Sequence, residues 1–366
     1  MKIGLLNFPI NDVGGIASWT DNFWEGLMQA FPDATVGHVY LANQGRFGCK
    51  LDEYVHKRRF SLLPGEFMSL LPDAIDQTIE DLNNSFDIFI FVHPGPHPTK
   101  DQMSRSGFDN WQRLYTDLKG KKAVVFHDEK WRRTNEWMAD VQGTCDLAVA
   151  AQHRFLPSVE DWGNGQCKTK WYYFPMPITQ PPTFRDFRYH GIVFTQWIQW
   201  KNHLKFLPLL PEIKIPFDLY GGGIIYHNAK ADGMFDGVVH DATTDVRSAD
   251  SPIHMYHGFI PYVEIVEQLR MSRMAIDLST RGYTNMSHWE PLWYGTPNFI
   301  ERRVSLDDFC QLPLEYCEIY DLDDSLPDRI NSFEPDLDKL MAGQEWMEQR
   351  CSAKRVAERL IGELLD

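Results

Sequence analysis

Short runs of apolar residues alternate along the chain with longer amphipathic stretches, the pattern of a parallel sheet whose strands are joined through helices. In the first half, residues 2–8, 35–42, 59–63, 86–93, 122–127 and 146–151 read as strands. Residues 16–31 place Trp19, Phe23, Leu27 and Phe31 four apart on one helical face, and residues 67–83 repeat the pattern with Leu70, Leu71, Ile75, Ile79 and Leu82. The strands are nearly continuous in apolar residues, so both of their faces should be covered. In the second half, strands are expected at 191–197, 217–220, 254–258, 274–278, 297–300 and 318–321, with helices at 202–210, 261–271 and 289–294. The tail, residues 337–365, reads as helical.

Between the halves, Tyr172-Tyr-Phe-Pro-Met-Pro-Ile-Thr-Gln-Pro-Pro182 holds four prolines and breaks any regular element, as an interdomain linker does. The Gly-rich polar stretch 221–251 is too long for an ordinary connection, and reads as a mobile substrate loop or a surface insertion. The fold class expected is α/β, with two doubly wound, Rossmann-like domains facing across a cleft. Residues 1–180 form one domain and 181–345 the other, with 346–366 a C-terminal helix able to return to the first. Ligands of such sheets bind outside the carboxyl ends of the strands.

Composition narrows the function. A chain of 366 residues can build two cores, and 23 Phe, 14 Tyr and 12 Trp exclude a disordered protein. The six cysteines stand singly with no C-x-x-C pair, which fits a reducing cytoplasm. The first residues run straight into Gly14-Gly15 and read as a strand and loop, not a signal peptide. No apolar run approaches the roughly 18–20 residues that span a bilayer, so a soluble monomer without membrane insertion is expected.

The formal charge of −15 argues against a protein coated with nucleic acid over its whole surface. The charge is uneven, however: residues 1–180 carry 18 basic and 22 acidic side chains, the remainder 18 and 29. Within the first half the cations cluster at Lys57-Arg58-Arg59, Lys119-Gly-Lys121-Lys122 and Lys130-Trp131-Arg132-Arg133. Such a Trp-bearing basic patch is either an ordinary solvated helix face or a bed for a phosphate backbone, with an aromatic on which an extruded base can stack.

Four segments can carry chemistry. Gly14-Gly15, between a strand and a helix, lets the backbone approach a ligand and leaves helix N–H groups for an anion; the plainer reading is a tight turn. His127-Asp128, at the end of a central strand, can position an acceptor hydroxyl or take its proton, or can simply terminate the strand. Lys201, after the first strand of the second half, can neutralise a diphosphate or be an exposed lysine at a helix start. The segment from Ser279 to Pro297 leaves a strand, turns, and enters a helix that bears Glu290. Its amides suit phosphate and its carboxylate suits ribose hydroxyls.

Glu290-Pro-Leu-Trp-Tyr-Gly295-Thr-Pro297 resembles the E-x4-G-x-P signature of retaining GT-B glycosyltransferases of the family-four type. Gly14-Gly15, the Phe-Pro-Met-Pro-Ile linker, Lys201 and Gly258-Phe-Ile-Pro261 fall in that family's order. Through His127-Asp128, Trp200-Lys201 and the linker, the chain is similar to bacteriophage DNA α-glucosyltransferases.

The resemblance implies a nucleoside-diphosphate sugar donor, a UDP-sugar such as UDP-glucose first among them. Gly14 and Gly15 would lie under its phosphates, and Lys201 and Arg281 would meet its diphosphate. Asn285, Met286 and Ser287 would reach phosphate or sugar, Glu290 would hold the ribose, and Gly221 and Gly222 would line the donor site. His127 and Asp128 would be the catalytic pair, near the reacting sugar and the acceptor. The implied acceptor is DNA with hydroxymethylated bases, held by Lys57, Arg58, Arg59, Lys130, Trp131, Arg132 and Arg133.

Two positions depart from the family. Gln196 stands where it has an arginine, and Gly282 where it has its first glutamate, which leaves the recognition of the sugar hydroxyls open. No metal is expected: Asp321-Leu-Asp323-Asp324 imitates the D-x-D of the other glycosyltransferase fold but lies in a strand-to-helix turn, and His93-Pro-Gly-Pro-His97 lacks a third ligand. Two other readings compete with a DNA acceptor: transfer to an envelope saccharide or lipid-linked saccharide, and a non-catalytic nucleotide-sugar binder.

Overall fold

A computed structural model of the chain describes residues 1–7, 15–42, 67–69, 75–92, 105–127, 137–176, 190–194, 201–222, 224–234, 238–240, 254–258, 260, 262–279, 286–306 and 311–366. The apolar runs form two sheets of seven parallel strands. The first contains β1 (Lys2–Asn7), β2 (Thr35–Ala42), β3 (Phe67–Ser69), β4 (Ile88–Val92), β5 (Lys121–Phe126), β6 (Leu147–Ala150) and β7 (Lys168–Trp171), in the order β3-β2-β1-β4-β5-β6-β7. The second contains β8 (Gly191–Phe194), β9 (Phe217–Tyr220), β10 (Val238–His240), β11 (His254–Gly258), β12 (Met274–Asp277), β13 (Asn298–Glu301) and β14 (Glu318–Tyr320), in the order β10-β11-β9-β8-β12-β13-β14. Strand order reverses between β1 and β4 and again between β8 and β12, the points at which doubly wound sheets receive ligands.

The chain divides into two compact units, Met1–Ile178 with Arg350–Asp366, and Thr179–Gln349. In unit one all five residues of β4 are buried, as a strand covered on both faces requires. The first helix, Gly15–Ala30, buries Trp19, Phe23 and Leu27. It also carries Gly26 in mid-helix, where a Cβ would come within 2.3 Å of the Ala353 carbonyl oxygen. Only glycine allows that approach, and through it the helix Ala353–Leu365 returns to pack on the first helix. Met176 adds a second tie: its N–H donates to Cys351 O at 2.7 Å, and Ala353 N–H donates back to Met176 O at 3.0 Å.

Four regions depart from the sequence expectation. Residues 67–69 are the edge strand β3, and the helix begins at Ile75; a three-residue strand is too short to show its own period. The strand expected at 59–63 lies outside the described residues. β7 is Lys-Thr-Lys-Trp at a sheet edge, where one neighbour suffices and no apolar run is needed. The stretch 221–251 is not one loop, because it contains the helix Ile224–Ala231 and strand β10. The tail is two helices, Leu337–Cys351 and Ala353–Leu365, parted at Ser352, whose extended backbone (ψ 135°) and side chain cap the second by accepting from Arg355 N–H at 3.4 Å. Among the described residues, no helix is long and apolar enough to cross a membrane.

Candidate functional site

The C-terminal ends of β8, β12 and β13 bring together residues far apart in sequence. Lys201, shortly after β8, forms an isolated antiparallel bridge with Ser279, just past β12. Asn202 N–H donates to Leu278 O at 2.7 Å, and its side chain donates to Glu301 Oε2 at 3.0 Å, at the end of β13. The segment is thereby sewn to two neighbouring strand ends. Its lysine points inward: the Lys201 and Asp277 side chains are only 4% and 1% exposed, and Nζ lies 3.5 Å from Asp277 Oδ2 while also donating to Ser279 Oγ. An exposed lysine at a helix start is therefore ruled out.

Asp277 gathers more than this lysine. Its Oδ1 accepts from Ser279 N–H at 2.7 Å and lies 2.9 Å from His288 Nε2, and its Oδ2 accepts from Ser287 Oγ at 2.5 Å. Tyr320 Oη donates to the Asp277 carbonyl at 2.8 Å. Burial alone would raise the Asp277 carboxyl, but the His288 and Lys201 charges and the His288 and Ser279 hydrogen bonds hold it well below the usual carboxylate range. Burial lowers the Lys201 ammonium below its ordinary value despite the Asp277 charge. Beside them His203 is buried, and burial together with the Lys201 charge pushes its imidazole down to about 3, so it is neutral at physiological pH.

The helix Met286–Trp293 rises directly from this cluster, with Ser287 and His288 in its first turn. Its other end closes on Gly295, at φ +77°: Gly295 N–H reaches Leu292 O at 3.3 Å and Thr296 N–H reaches Pro291 O at 2.8 Å. That is a Schellman cap, and Pro297 follows it where the helix cannot continue. The Gly-x-Pro of the sequence thus has a local physical reason, and Glu290 is held buried on the helix between the two fixed ends. Gly221 and Gly222 end β9, the neighbour of β8; Gly221, at φ +98°, donates to Gly258 O at 2.8 Å and accepts from Tyr256 Oη at 2.6 Å.

In unit one, His127 directly follows β5 and is half-buried. The buried Trp19 ring meets it edge-on, with centroids 5.3 Å apart, and itself stacks on Phe23 at 4.7 Å. Gly15 opens the first helix. Gly14, Asp128, Arg281, Asn285 and the basic residues Lys57, Arg58, Arg59, Lys130, Trp131, Arg132 and Arg133 lie outside the described residues.

Two charged or titratable partners at the heart of the cluster are among the members not singled out from sequence. Asp277 looks like the last residue of an apolar strand, and His288 like one position of a short helix. The available signal was an acid closing the otherwise apolar Met274–Asp277 run. The D-x-D string is engaged elsewhere: Asp321 forms a two-pronged pair with Arg302 (2.8 and 3.0 Å), and Asp323 accepts from Ser325 N–H at 2.9 Å.

Two doubly wound parallel units, joined in one chain and each with a switch point, define the GT-B fold. Solved structures bear this out over the whole length. An alpha-glucosyltransferase in complex with UDP and a 13-mer DNA containing a central A:G mismatch is similar at TM-score 0.73 and 13% identity, covering 100% of this chain and 99% of that one. HepE of Anabaena, in complex with UDP-glucose, is similar at TM-score 0.64 and 11% identity, covering 100% and 99%. The apo form of the lipopolysaccharide outer core galactosyltransferase WaaB is similar at TM-score 0.59 and 13% identity, with the same coverage. No protein-family profile and no curated protein sequence matches the chain.

Proposed function

We propose that this protein is a retaining glycosyltransferase that moves a hexose or pentose from a nucleoside-diphosphate sugar, foremost a UDP-sugar, to the hydroxyl of a hydroxymethylated base in DNA. The observation that carries the donor half is the buried Lys201–Asp277 cluster at the β8/β12 switch point, set under the first turn of a helix. A fixed cation and the amides of a helix N-terminus are the groups that stabilise a departing diphosphate. Lys201, Met286 and Ser287 take that role, with Arg281 and Asn285, and Glu290 takes the ribose hydroxyls. Gly14, Gly15, Gly221 and Gly222 leave room for the donor.

In unit one, His127 and Asp128 orient the acceptor hydroxyl. The bond between the anomeric carbon and the diphosphate oxygen breaks, and one to the acceptor oxygen forms on the same face. The acceptor's proton leaves with the diphosphate. No metal is assigned a part, since Asp321 and Asp323 are occupied by Arg302 and Ser325.

The DNA acceptor is supported by the basic, Trp-bearing run 130–133 and by the likeness to an alpha-glucosyltransferase solved with DNA. We place the protein as a monomer in the cytoplasm of a phage-infected bacterium. The likeness to WaaB, a lipopolysaccharide outer core enzyme by its description, favours a second reading with an envelope saccharide as acceptor.

One experiment separates these readings. The protein is incubated with a panel of sugar nucleotides and DNA containing hydroxymethylcytosine, and the digested nucleosides are weighed. A mass gain of one hexose or pentose that fades steeply with salt is expected. Transfer to saccharide alone moves the assignment to the second reading, and donor binding with no turnover on any acceptor leaves a binding module.

A further inference from the structure

The Asp277 carboxylate is the meeting point of four groups. An ionised carboxylate offers about four acceptor sites. Here Oδ1 meets Ser279 N–H (2.7 Å) and His288 Nε2 (2.9 Å), while Oδ2 meets Ser287 Oγ (2.5 Å) and Lys201 Nζ (3.5 Å). Those four groups come from the end of β12, the first turn of the helix Met286–Trp293 and the segment after β8. One buried carboxylate therefore joins three of the described elements at this end of the sheet.

A buried ion pair adds little to stability compared with a well-packed apolar replacement, so its presence here asks for another reason. Three side chains of the cluster supply it. A lysine on a free four-carbon stem carries rotamer entropy that a ligand must overcome, whereas Lys201 is already held by Asp277 and Ser279. Ser287 and His288 anchor the first turn of the helix Met286–Trp293 to the same carboxylate. With Gln196 standing where a second cation was expected, one preset cation has to do more.

We propose that Asp277 is a positioning residue for the diphosphate site: its carboxylate fixes the Lys201 ammonium and the first turn of the Met286–Trp293 helix, so that cation and helix amides meet the donor's phosphates as one preorganised surface. The proposal rests on the donor reading above. It assigns Asp277 no contact with the donor itself.

The test compares UDP with uridine by titration calorimetry on the full chain, as wild type, Asp277→Asn and Ser279→Ala. Wild type should prefer UDP. Asp277→Asn should bind UDP about tenfold or more weakly, with uridine affinity unchanged within about twofold, because only the phosphates meet the positioned groups. Ser279→Ala, which removes the hydroxyl partner of Lys201, should show a smaller loss with the same selectivity for UDP, and it decides the matter alone if Asp277→Asn does not fold. Equal losses for both ligands, or an unchanged preference for UDP, overturn the positioning role. A wild type that binds neither ligand removes the donor reading, and the proposal with it.

Discussion

The two sheets share seven parallel strands and one reversal of strand order, yet they bury different chemistry. Among the described residues, the buried polar side chains of unit one are Thr20, Asn22, Thr78, Asn110 and Ser352, all uncharged. Unit two buries Lys201, Asp218, Asp277, Glu290 and Glu301, with His203, His254 and His288 beside them. Charged groups are tolerated inside a protein only when paired, and pairing fixes their positions. The same architecture thus serves in unit one as an apolar scaffold and in unit two as the holder of a prebuilt polar site. The excess acid of the second half, read from sequence as simple charge, turns out in part to be internal.

The largest effect should come from removing the cation at the centre of that contrast. Lys201→Met leaves Asp277 buried without its lysine partner, which should lower the stability of unit two by about 3–5 kcal/mol. Sugar transfer should fall by about a hundred- to a thousand-fold, the usual cost of losing one preorganised stabiliser of developing charge. The double variant Lys201→Met, Asp277→Leu discriminates between the two losses. It should regain part of the stability in urea denaturation, since an apolar pair replaces an ionic one while the Ser279 N–H and the Ser287 hydroxyl lose their acceptor, and none of the transfer. Recovery of transfer would mean that the cluster is packing and nothing more.

Acid should sharpen the same contrast on a smaller scale. The His203 imidazole is held down to about 3, first by burial and then by the Lys201 charge. The unfolded chain takes up this proton near pH 6.5, and the folded chain refuses it until about pH 3. Stability should therefore be intact above pH 6.5 and fall as pH drops through that window, by up to about 1.4 kcal/mol per pH unit. Asp277, with its folded value depressed, acts lower: its contribution is present above the unfolded value of about 3.9 and is lost as pH falls through the folded value. In unit one the depressed carboxyl of Asp146, partly exposed beside Lys121, also acts only in that lower range. Limited proteolysis in urea at pH 7 and pH 5 should then open unit two first at pH 5, and His203→Gln should flatten the difference. Equal acid sensitivity of both units would dissolve the contrast.

What the sequence disclosed follows from which interactions are local. Strands buried on both faces, such as Ile88–Val92, are continuous apolar runs and were legible. The edge strand Lys168–Trp171 needs no such run and was not, nor was Val238–His240 within a glycine-rich stretch. Lys201 and Glu290 were legible as candidates because each stands at a fixed place in a strand–turn–helix pattern. Asp277 was not, because its meaning is tertiary: the lysine it holds is 76 residues away and the serine 10. A local window shows only an acid closing an apolar strand, and none of the partners that give it a role.

The smallest effect should come from the acidic string that sequence alone makes suggestive. Asp321-Leu-Asp323-Asp324 follows β14 in unit two, on the surface and not at the β8/β12 switch point. Its carboxylates already serve local ends, Asp321 with Arg302 and Asp323 as acceptor for the Ser325 N–H and hydroxyl. Exposed pairs of this kind contribute little, so Asp323→Ala should change transfer by less than about twofold. Chelator should leave the rate in place, because the charge that a divalent ion would neutralise falls to Lys201 and the helix amides. A loss of about tenfold or more on chelation, restored by manganese, would shift part of that burden to a metal. The buried cluster would then be an incomplete diphosphate site, and the division between a scaffolding unit and a prebuilt polar unit would have to be redrawn around the ion.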